Sequence, residues 1–149
     1  MTSSVPSHAP SGELRLGASI AVFDRGAVLL VQRGRGPFQG LWSLPGGTLE
    51  QQETPRDTAL RELKEETGIK ADIAGLLDTV EIEADDACGA FRCRLSVFSG
   101  TYRSGKIRAG SDAAAARWVA IGDLKSCHLT EGTAELIRLA ARRLGPACA

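Results

Sequence analysis

Three acidic residues near the middle of the chain stand at helical spacing. Glu62, Glu65 and Glu66 are related by three and four positions, so on one helix their carboxylates gather on a single face. Like charges this close destabilise a bare helix by roughly 0.2–0.5 kcal/mol per pair. A hard divalent cation would relieve the repulsion, because Mg²⁺ binds carboxylate oxygens together with waters and substrate phosphates. Taken alone, a charge-dense run of this kind is typical of a solvated helix face, and a cation-binding face is the alternative.

The residues around these carboxylates predict a helix with defined ends. Thr54 is a suitable N-cap, Pro55 fits the first helical position, and Asp57 completes a pair resembling a capping box. Gly68 predicts the end of the helix, because Gly readily adopts the left-handed conformation that follows a last turn. The expected buried stripe consists of Ala59, Leu60 and Leu63.

The segment from Gly47 to Ile69 resembles the motif of the Nudix hydrolases. A Gly is followed six residues later by a Glu, and eight residues after that by the run Arg-Glu-Leu-Lys-Glu-Glu-Thr-Gly-Ile. The matching positions are Gly47, Glu53, Arg61, Glu62, Leu63, Glu65, Glu66, Gly68 and Ile69. The stretch from Val31 to Glu50 also resembles small bacterial Nudix proteins grouped with the ADP-ribose pyrophosphatases.

This resemblance implies roles for individual residues. The implied metal ligands, for Mg²⁺ with Mn²⁺ as a substitute, are the Gly46 backbone carbonyl and the carboxylates of Glu62, Glu65 and Glu66. Glu53 and Arg61 resemble a pair that braces the preceding loop against the helix. Together with the three glutamates of the helix, they form the implied catalytic set. Gly47 is expected to permit a tight turn, because Gly tolerates backbone angles that other residues avoid.

The general base and the substrate-binding residues are less constrained. One motif glutamate is a candidate base. Asp112, six residues before Trp118, is another, and it reads equally well as an ordinary turn aspartate. Candidate substrate contacts precede the motif: Arg33, Arg35 and Phe38. The alternative for Arg33 and Arg35 is that they are exposed loop arginines without a substrate contact. Trp42 is expected in the core rather than stacked on a nucleotide base.

The implied function is hydrolysis of a nucleoside diphosphate linked to another group. ADP-ribose or a nucleotide sugar is the favoured substrate. Hydrolysis of oxidised or noncanonical nucleoside triphosphates is the alternative reaction. A nucleotide-binding Nudix module without turnover is the alternative from a different class. Family precedent also makes a homodimer plausible.

Composition limits which other classes of protein the chain can represent. The chain has 149 residues and a formal net charge of zero, which argues against bulk capture of nucleic acid polymers or anionic membranes. Its four cysteines show no metal-binding spacing, and no secretory signal is recognisable at residues 1–13. The longest aliphatic run, Ala27 to Val31, is too short to span a bilayer. These features predict a soluble, cytoplasmic protein.

The order of predicted elements indicates one α/β domain. We expect a flexible N-terminal tail at residues 1–13, a single Nudix domain at residues 14–145 and a C-terminal tail at residues 146–149. The predicted strands are 18–23, 27–31, 41–45, 71–83, 91–99 and 117–121, with a loop at 85–89 and a second helix at 130–144. The resemblance sharpens this order to the Nudix fold, an α/β/α sandwich with a mixed sheet between helices.

Overall fold

The computed structural model describes residues 13–36, 38–86, 89–108 and 113–145, which form strands and helices in alternating groups. The strands are β1 (Leu14–Asp24), β2 (Ala27–Arg33), β3 (Trp42–Ser43), β4 (Gly46–Thr48), β5 (Lys70–Asp86), β6 (Gly89–Ser104) and β7 (Ala113–Ala120). The α-helices are α1 (Pro55–Thr67) and α2 (Thr133–Leu144), and a 3-10 helix spans Ile121–Ser126.

The strands form one mixed sheet with the main order β3-β2-β1-β6-β5. β1 and β6 are parallel, with Leu14 opposite Arg92 and Phe23 opposite Thr101 at the two ends of their pairing. The remaining pairs are antiparallel, including β4 with β1 and β7 with β2. The predicted mixed sheet is therefore confirmed, and β1 is its central strand.

Each face of the sheet is covered by one helix. Alternate residues of β1 point to opposite faces, as the period of a strand requires. Ala18, Ile20 and Val22 pack with Leu63 of α1, whereas Phe23 packs in the other core. That second core includes Ile137 and Ala140 of α2 together with Val28, Leu30, Val97 and Val119. The α/β/α sandwich predicted from the sequence is confirmed.

Most strands extend beyond their predicted ends because cross-strand pairing continues past the apolar runs. The strand predicted at 41–45 is instead limited to β3, and Ile121, predicted in the last strand, begins the 3-10 helix. Asp85 and Asp86, predicted in a loop, lie in β5, and Gly89 lies in β6. Ion pairs support the exposed part of this ribbon, where Arg94 Nη2 lies 3.0 Å from Glu81 Oε2. Such pairing depends on residues of two strands, so neither strand shows it alone.

Two further local predictions need correction. Leu60, predicted in the buried stripe of α1, is 39% exposed, because the sheet covers only the face that carries Ala59 and Leu63. Helix α2 begins at Thr133 rather than Thr130, and its N-cap is Gly132, which has no capping side chain. Thr130 instead lies at hydrogen-bonding distance from Thr133, with 2.5 Å between their hydroxyl oxygens.

Residues 1–12 and 146–149 of the predicted tails lie outside the described residues. Glu13 is described, and its backbone carbonyl accepts a hydrogen bond of 2.8 Å from Arg92 N. None of the helices that the structure describes is long and apolar enough to cross a membrane.

Candidate active site

Helix α1 is capped at both ends by the residues that the sequence indicated. Thr54 Oγ1 accepts a hydrogen bond of 3.2 Å from Asp57 N, and Asp57 Oδ2 accepts one of 3.1 Å from Thr54 N. This is a complete capping box. Gly68 ends the helix with φ 79°, and its N–H donates to Lys64 O at 2.9 Å. The predicted start and stop of α1 are confirmed.

Arg61 joins α1 to the loop that precedes it. Its Nε lies 2.6 Å from Glu53 Oε2 and its Nη2 lies 3.0 Å from Glu53 Oε1, which is a bidentate charge-assisted pair. Nη2 also donates to the Thr48 carbonyl of β4 at 3.2 Å. The guanidinium thus connects the loop, β4 and the helix through one rigid group.

Glu53 is held ionised by its partners. Its Oε1 accepts hydrogen bonds from Glu50 N at 2.9 Å and from Thr58 Oγ1 at 2.8 Å. The Arg61 guanidinium is the largest cause, followed by the Glu50 N–H and the Thr58 hydroxyl, and together they lower the pKa of Glu53 from 4.5 to about 2. The hydrogen bond to Glu53 is the largest cause that raises the pKa of Arg61, and the contact with Glu62 raises it further, so the pair is fully charged at neutral pH.

The three glutamates of α1 differ in how much of each side chain is exposed to solvent. Arg61 Nη1 is 2.8 Å from Glu62 Oε2 and 3.3 Å from Glu65 Oε1. The side chain of Glu65 is 45% exposed and that of Glu62 is 16% exposed. Glu66 is buried, and its Oε1 accepts a hydrogen bond of 3.2 Å from Gly46 N. The residue proposed to offer its carbonyl to a metal therefore lies directly beside one of the carboxylates.

The ionised form of Glu66 is disfavoured in this arrangement. Burial is the largest cause that raises its pKa, from 4.5 to about 8, and the neighbouring Glu62 carboxylate raises it further. The Gly46 N–H and the positive charge of Arg33 act in the opposite direction. A second positive charge at this position would favour the ionised form of Glu66.

The two glycines of β4 are required by space rather than by a turn. Gly47 was expected to permit a tight turn, but neither it nor Gly46 has positive φ, and both pair with β1. A Cβ on Gly47 would lie 2.5 Å from Glu62 Cδ. A Cβ on Gly46 would lie 2.3 Å from Ala18 O. The glycines let the site carboxylates and strand β1 approach the backbone of β4.

The donor chemistry fits a hard divalent cation. Three carboxylates of α1 and the backbone of Gly46 supply only oxygen donors, which are the ligands that Mg²⁺ and Mn²⁺ prefer. Within the described ranges, no three acidic, His or Cys side chains converge at metal-binding distance in this conformation. The reason is visible in the contacts, because Arg61 engages Glu62 and Glu65 while Gly46 engages Glu66.

The other candidate residues lie at different distances from this centre. Arg33, at the end of β2, is partly buried and close enough to Glu66 to lower its pKa. Arg35 and Phe38 are exposed in the following loop, where Phe38 has φ 66°. Asp112, the candidate base, lies outside the described residues. Trp42 is half-buried against the α2 core as expected, with Arg117 Cζ 4.6 Å from its ring centroid.

Sequence reasoning missed two supports of Glu53. Thr58 is fully buried and gives its hydroxyl to the carboxylate, whereas Glu50 contributes its backbone N–H. The single available signal was the position of Thr58 on the same helical side as the capping residue Thr54. A backbone donor such as Glu50 leaves no signal in residue type.

The chain belongs to the NUDIX domain family, whose model matches residues 13–141. It is 34% identical over 97 residues to an ADP-ribose pyrophosphatase of Methanocaldococcus jannaschii. The matched segment covers 65% of this chain and 56% of that protein. The chain thus spans little more than half the length of this curated relative.

Solved structures agree with the fold. The crystal structure of MutT NUDIX hydrolase from Burkholderia pseudomallei superposes with a TM-score of 0.75 at 31% identity, covering 87% of this chain and 99% of that one. The NUDIX domain of Shewanella oneidensis NrtR, complexed with ADP ribose, gives a TM-score of 0.64 at 28% identity and covers 90% and 89% of the two chains. The resemblance seen in the sequence is confirmed.

Proposed function

We propose that this protein is a pyrophosphohydrolase that cleaves a nucleoside diphosphate linked to a second group, with ADP-ribose or a nucleotide sugar as its substrate. Its metal is Mg²⁺, which Mn²⁺ can replace. The observation that carries the proposal is that Arg61, braced by Glu53, contacts Glu62 and Glu65, while the third carboxylate, Glu66, accepts a hydrogen bond from the Gly46 N–H. All three carboxylates of α1 are present, and each has a hydrogen-bonding partner that supports it.

In the proposed reaction, the oxygen of a water bonds to one phosphorus while the bond from that phosphorus to the bridging oxygen breaks. The bridging oxygen leaves on the other phosphate, and the water gives up a proton to a base. A divalent ion held by Glu62, Glu65, Glu66 and the Gly46 carbonyl would lower the pKa of the water and stabilise charge on the phosphate oxygens. A motif glutamate or Asp112 serves as the base.

The chain itself supplies positioning and charge. Arg61 and Glu53 hold α1 against β4, so the carboxylates keep their orientation when substrate binds. Arg33 lies on the same side as Glu66 and carries a charge suited to a substrate phosphate. Arg35 and Phe38, on the exposed loop that follows, are proposed to contact the parts of the substrate beyond the diphosphate.

Two similar proteins support the choice of substrate. One is named an ADP-ribose pyrophosphatase, and the other is a NUDIX domain complexed with ADP ribose. They make ADP-ribose the first compound to test on this chain. Hydrolysis of oxidised nucleoside triphosphates is the alternative reaction, and binding without turnover is the alternative role. The complete set of glutamates favours turnover over binding alone.

The test is product analysis with Mg²⁺ or Mn²⁺ over ADP-ribose, nucleotide sugars, NADH, dinucleoside polyphosphates, and normal and oxidised nucleoside triphosphates. We expect AMP and ribose 5-phosphate from ADP-ribose. Glu65→Gln should lower kcat by about 100-fold or more, since a lost ligand leaves the transition-state charge less stabilised. Glu131→Gln, at an exposed position before α2, is the control with the same change of charge.

Each result has a distinct meaning. Release of pyrophosphate from a triphosphate, with ADP-ribose intact, would replace the favoured substrate by the alternative. Equal turnover by the parent and Glu65→Gln would refute the proposed ligand role. Metal-dependent nucleotide binding with no turnover across the panel would identify a binding module.

We further propose that the protein acts in the cytoplasm on small nucleotides, not on nucleic acid polymers or membranes. The zero net charge and the cysteine spacing support this part of the proposal. The homodimer rests on family precedent. Sedimentation equilibrium at micromolar concentration should give twice the monomer mass of 15.7 kDa, and a monomer mass would refute it.

A further inference from the structure

A pocket of about 560 Å³ opens on the outer side of α1, where the helix meets the start of β5 and the end of β6. Its apolar surface includes Leu60 and Ala71. Three cationic side chains surround this surface, one from each element: Lys64, Lys70 and Arg103. A volume of several hundred cubic ångströms is typical of small-molecule pockets. Leu60, which the sheet leaves exposed, contributes an aliphatic side chain to this pocket.

The pocket is continuous with the candidate active site. Arg61 and Glu65, which belong to the site, also line the pocket. Arg61 therefore contacts Glu62 and Glu65 and also borders the pocket that the three cations surround. A ligand bound at the carboxylates can extend into the pocket without leaving the surface of α1.

The cations are available to an anionic ligand. Within the described part of the chain, Lys64 and Lys70 have no side-chain ion pair or hydrogen bond. Arg103 has one weak contact, with Nε 3.9 Å from Asp72 Oδ1, and both side chains are 66% exposed. An exposed pair at this distance contributes little, so a phosphate can compete for Arg103.

The backbone beneath these cations is closely packed. A Cβ on Gly105 would lie 2.5 Å from Gly68 O, and Thr67 O accepts a hydrogen bond of 2.7 Å from Arg108 N. These contacts join the end of α1 to the segment that follows β6. Lys70 and Arg103 lie next to this junction, so their Cα positions are fixed relative to α1.

We propose that this pocket binds the phosphorylated sugar half of the substrate, through Lys64, Lys70 and Arg103. Two features match that group: cationic side chains for the phosphate oxygens and a small apolar surface for the C–H face of a sugar. The assignment rests on the proposed function, because the hydrolysis of ADP-ribose releases ribose 5-phosphate as this half. It adds a binding site that the Nudix motif does not contain.

The test uses the full chain with Mg²⁺ and measures binding of ribose 5-phosphate, AMP and uncharged ribose by calorimetry. The double variant Lys70→Ala/Arg103→Ala should weaken ribose 5-phosphate binding roughly tenfold or more, since two cationic contacts are lost. AMP binding should change less than about twofold, and uncharged ribose should bind far more weakly than its phosphate. The charge-conserving variant Lys70→Arg/Arg103→Lys should retain most of the affinity.

Kinetics on ADP-ribose provide the second measurement. The double alanine variant should raise KM about tenfold while kcat changes less than about threefold, because the pocket binds substrate and transition state alike. Arg138→Ala, exposed on α2 at the other face of the sheet, is the control for loss of a surface cation. Thermal unfolding of every variant excludes a folding defect.

The outcomes separate this inference from the proposed function. Hydrolysis of ADP-ribose with unchanged ribose 5-phosphate affinity in the double variant would refute the pocket and leave the function standing. Loss of ribose 5-phosphate binding in the double variant of a protein that hydrolyses no ADP-ribose would support the pocket and refute that substrate. Equal weakening of AMP and ribose 5-phosphate would also refute the assignment, because it would indicate a nonspecific effect of charge.

Discussion

Arg61 contacts acidic side chains of α1 and of the loop that precedes it. It forms the bidentate pair with Glu53 of the loop, and it lies 2.8 Å from Glu62 Oε2 of the helix. Its hydrogen bond to the Thr48 carbonyl ties the same guanidinium to the backbone of β4. We therefore propose that Arg61 positions the carboxylates and that its charge reduces their mutual repulsion.

Gly47 offers a test of the close approach between β4 and α1. In Gly47→Ala the new Cβ would lie 2.5 Å from Glu62 Cδ, so the carboxylate must move. We expect kcat to fall at least roughly tenfold and the free energy of unfolding to fall by about 1–3 kcal/mol, as for other overpacked sites. Gly122→Ala, where a Cβ would meet nothing within 4 Å, is the control. Unchanged kcat in Gly47→Ala would contradict the spatial role of Gly47.

The lowered pKa of Glu53 predicts how the stability of the protein changes at low pH. Its folded pKa of about 2 lies below the ordinary 4.5, so its contribution to stability is present above pH 4.5 and is lost as the pH falls toward 2. We expect the stability difference between the parent and Glu53→Gln to shrink over that interval. Urea unfolding at a series of pH values measures it. A difference that stays constant from pH 5 to 2.5 would rule out the lowered pKa.

At the scale of elements, α1 differs from α2 in how its start is stabilised. The first turn of α1 has a capping box, whereas α2 starts after Gly132 with no capping side chain. The difference suits their tasks, because α1 carries three glutamates whose repulsion opposes helix formation. The C-terminal end of α1 is also fixed, since Gly68 adopts φ 79° against the Lys106 carbonyl.

Removing the cap should therefore weaken α1 measurably. Thr54→Ala deletes the acceptor for Asp57 N, and we expect the free energy of unfolding to fall by about 1 kcal/mol. Gln51→Ala, at an exposed position in the preceding turn, should change stability by less than about 0.5 kcal/mol. Chemical denaturation of both variants gives the comparison. Equal stability of the two variants would mean that the capping box does not contribute to folding.

At the scale of the whole molecule, β1 couples the two halves of the sandwich. Ile20 and Phe23 are both fully buried, and they point into opposite cores. Because both cores include side chains of one central strand, loss of either core removes support from the other. This coupling predicts that the domain unfolds in one cooperative step.

Two tryptophans allow that coupling to be measured. Trp42 packs against the α2 core and Trp118 against the α1 core, so Trp42→Phe and Trp118→Phe each leave one reporter. In these backgrounds, Leu63→Ala and Ile137→Ala should each lower the free energy of unfolding by about 2–5 kcal/mol. Both reporters should show the same urea midpoint. Different midpoints for the two tryptophans would show that the cores unfold separately.

The amino-acid sequence by itself determined the helix that carries the glutamates. The caps at Thr54 and Gly68 and the spacing of Glu62, Glu65 and Glu66 depend on local hydrogen bonds and on the helical repeat, so they are visible in neighbouring residues. The order of strands and helices likewise indicated the sandwich. The Nudix resemblance supplied the pairing of Glu53 with Arg61, eight positions apart.

The tertiary structure decided what depends on contacts between distant segments. It showed that Gly47 provides space for Glu62, that Glu66 is buried beside Gly46, and that Leu60 is exposed. It also brought Lys70 and Arg103 to one pocket beside α1. These features arise from the packing of β4 and the β5–β6 ribbon against the helix, and no repeat or local spacing along the chain encodes such distances.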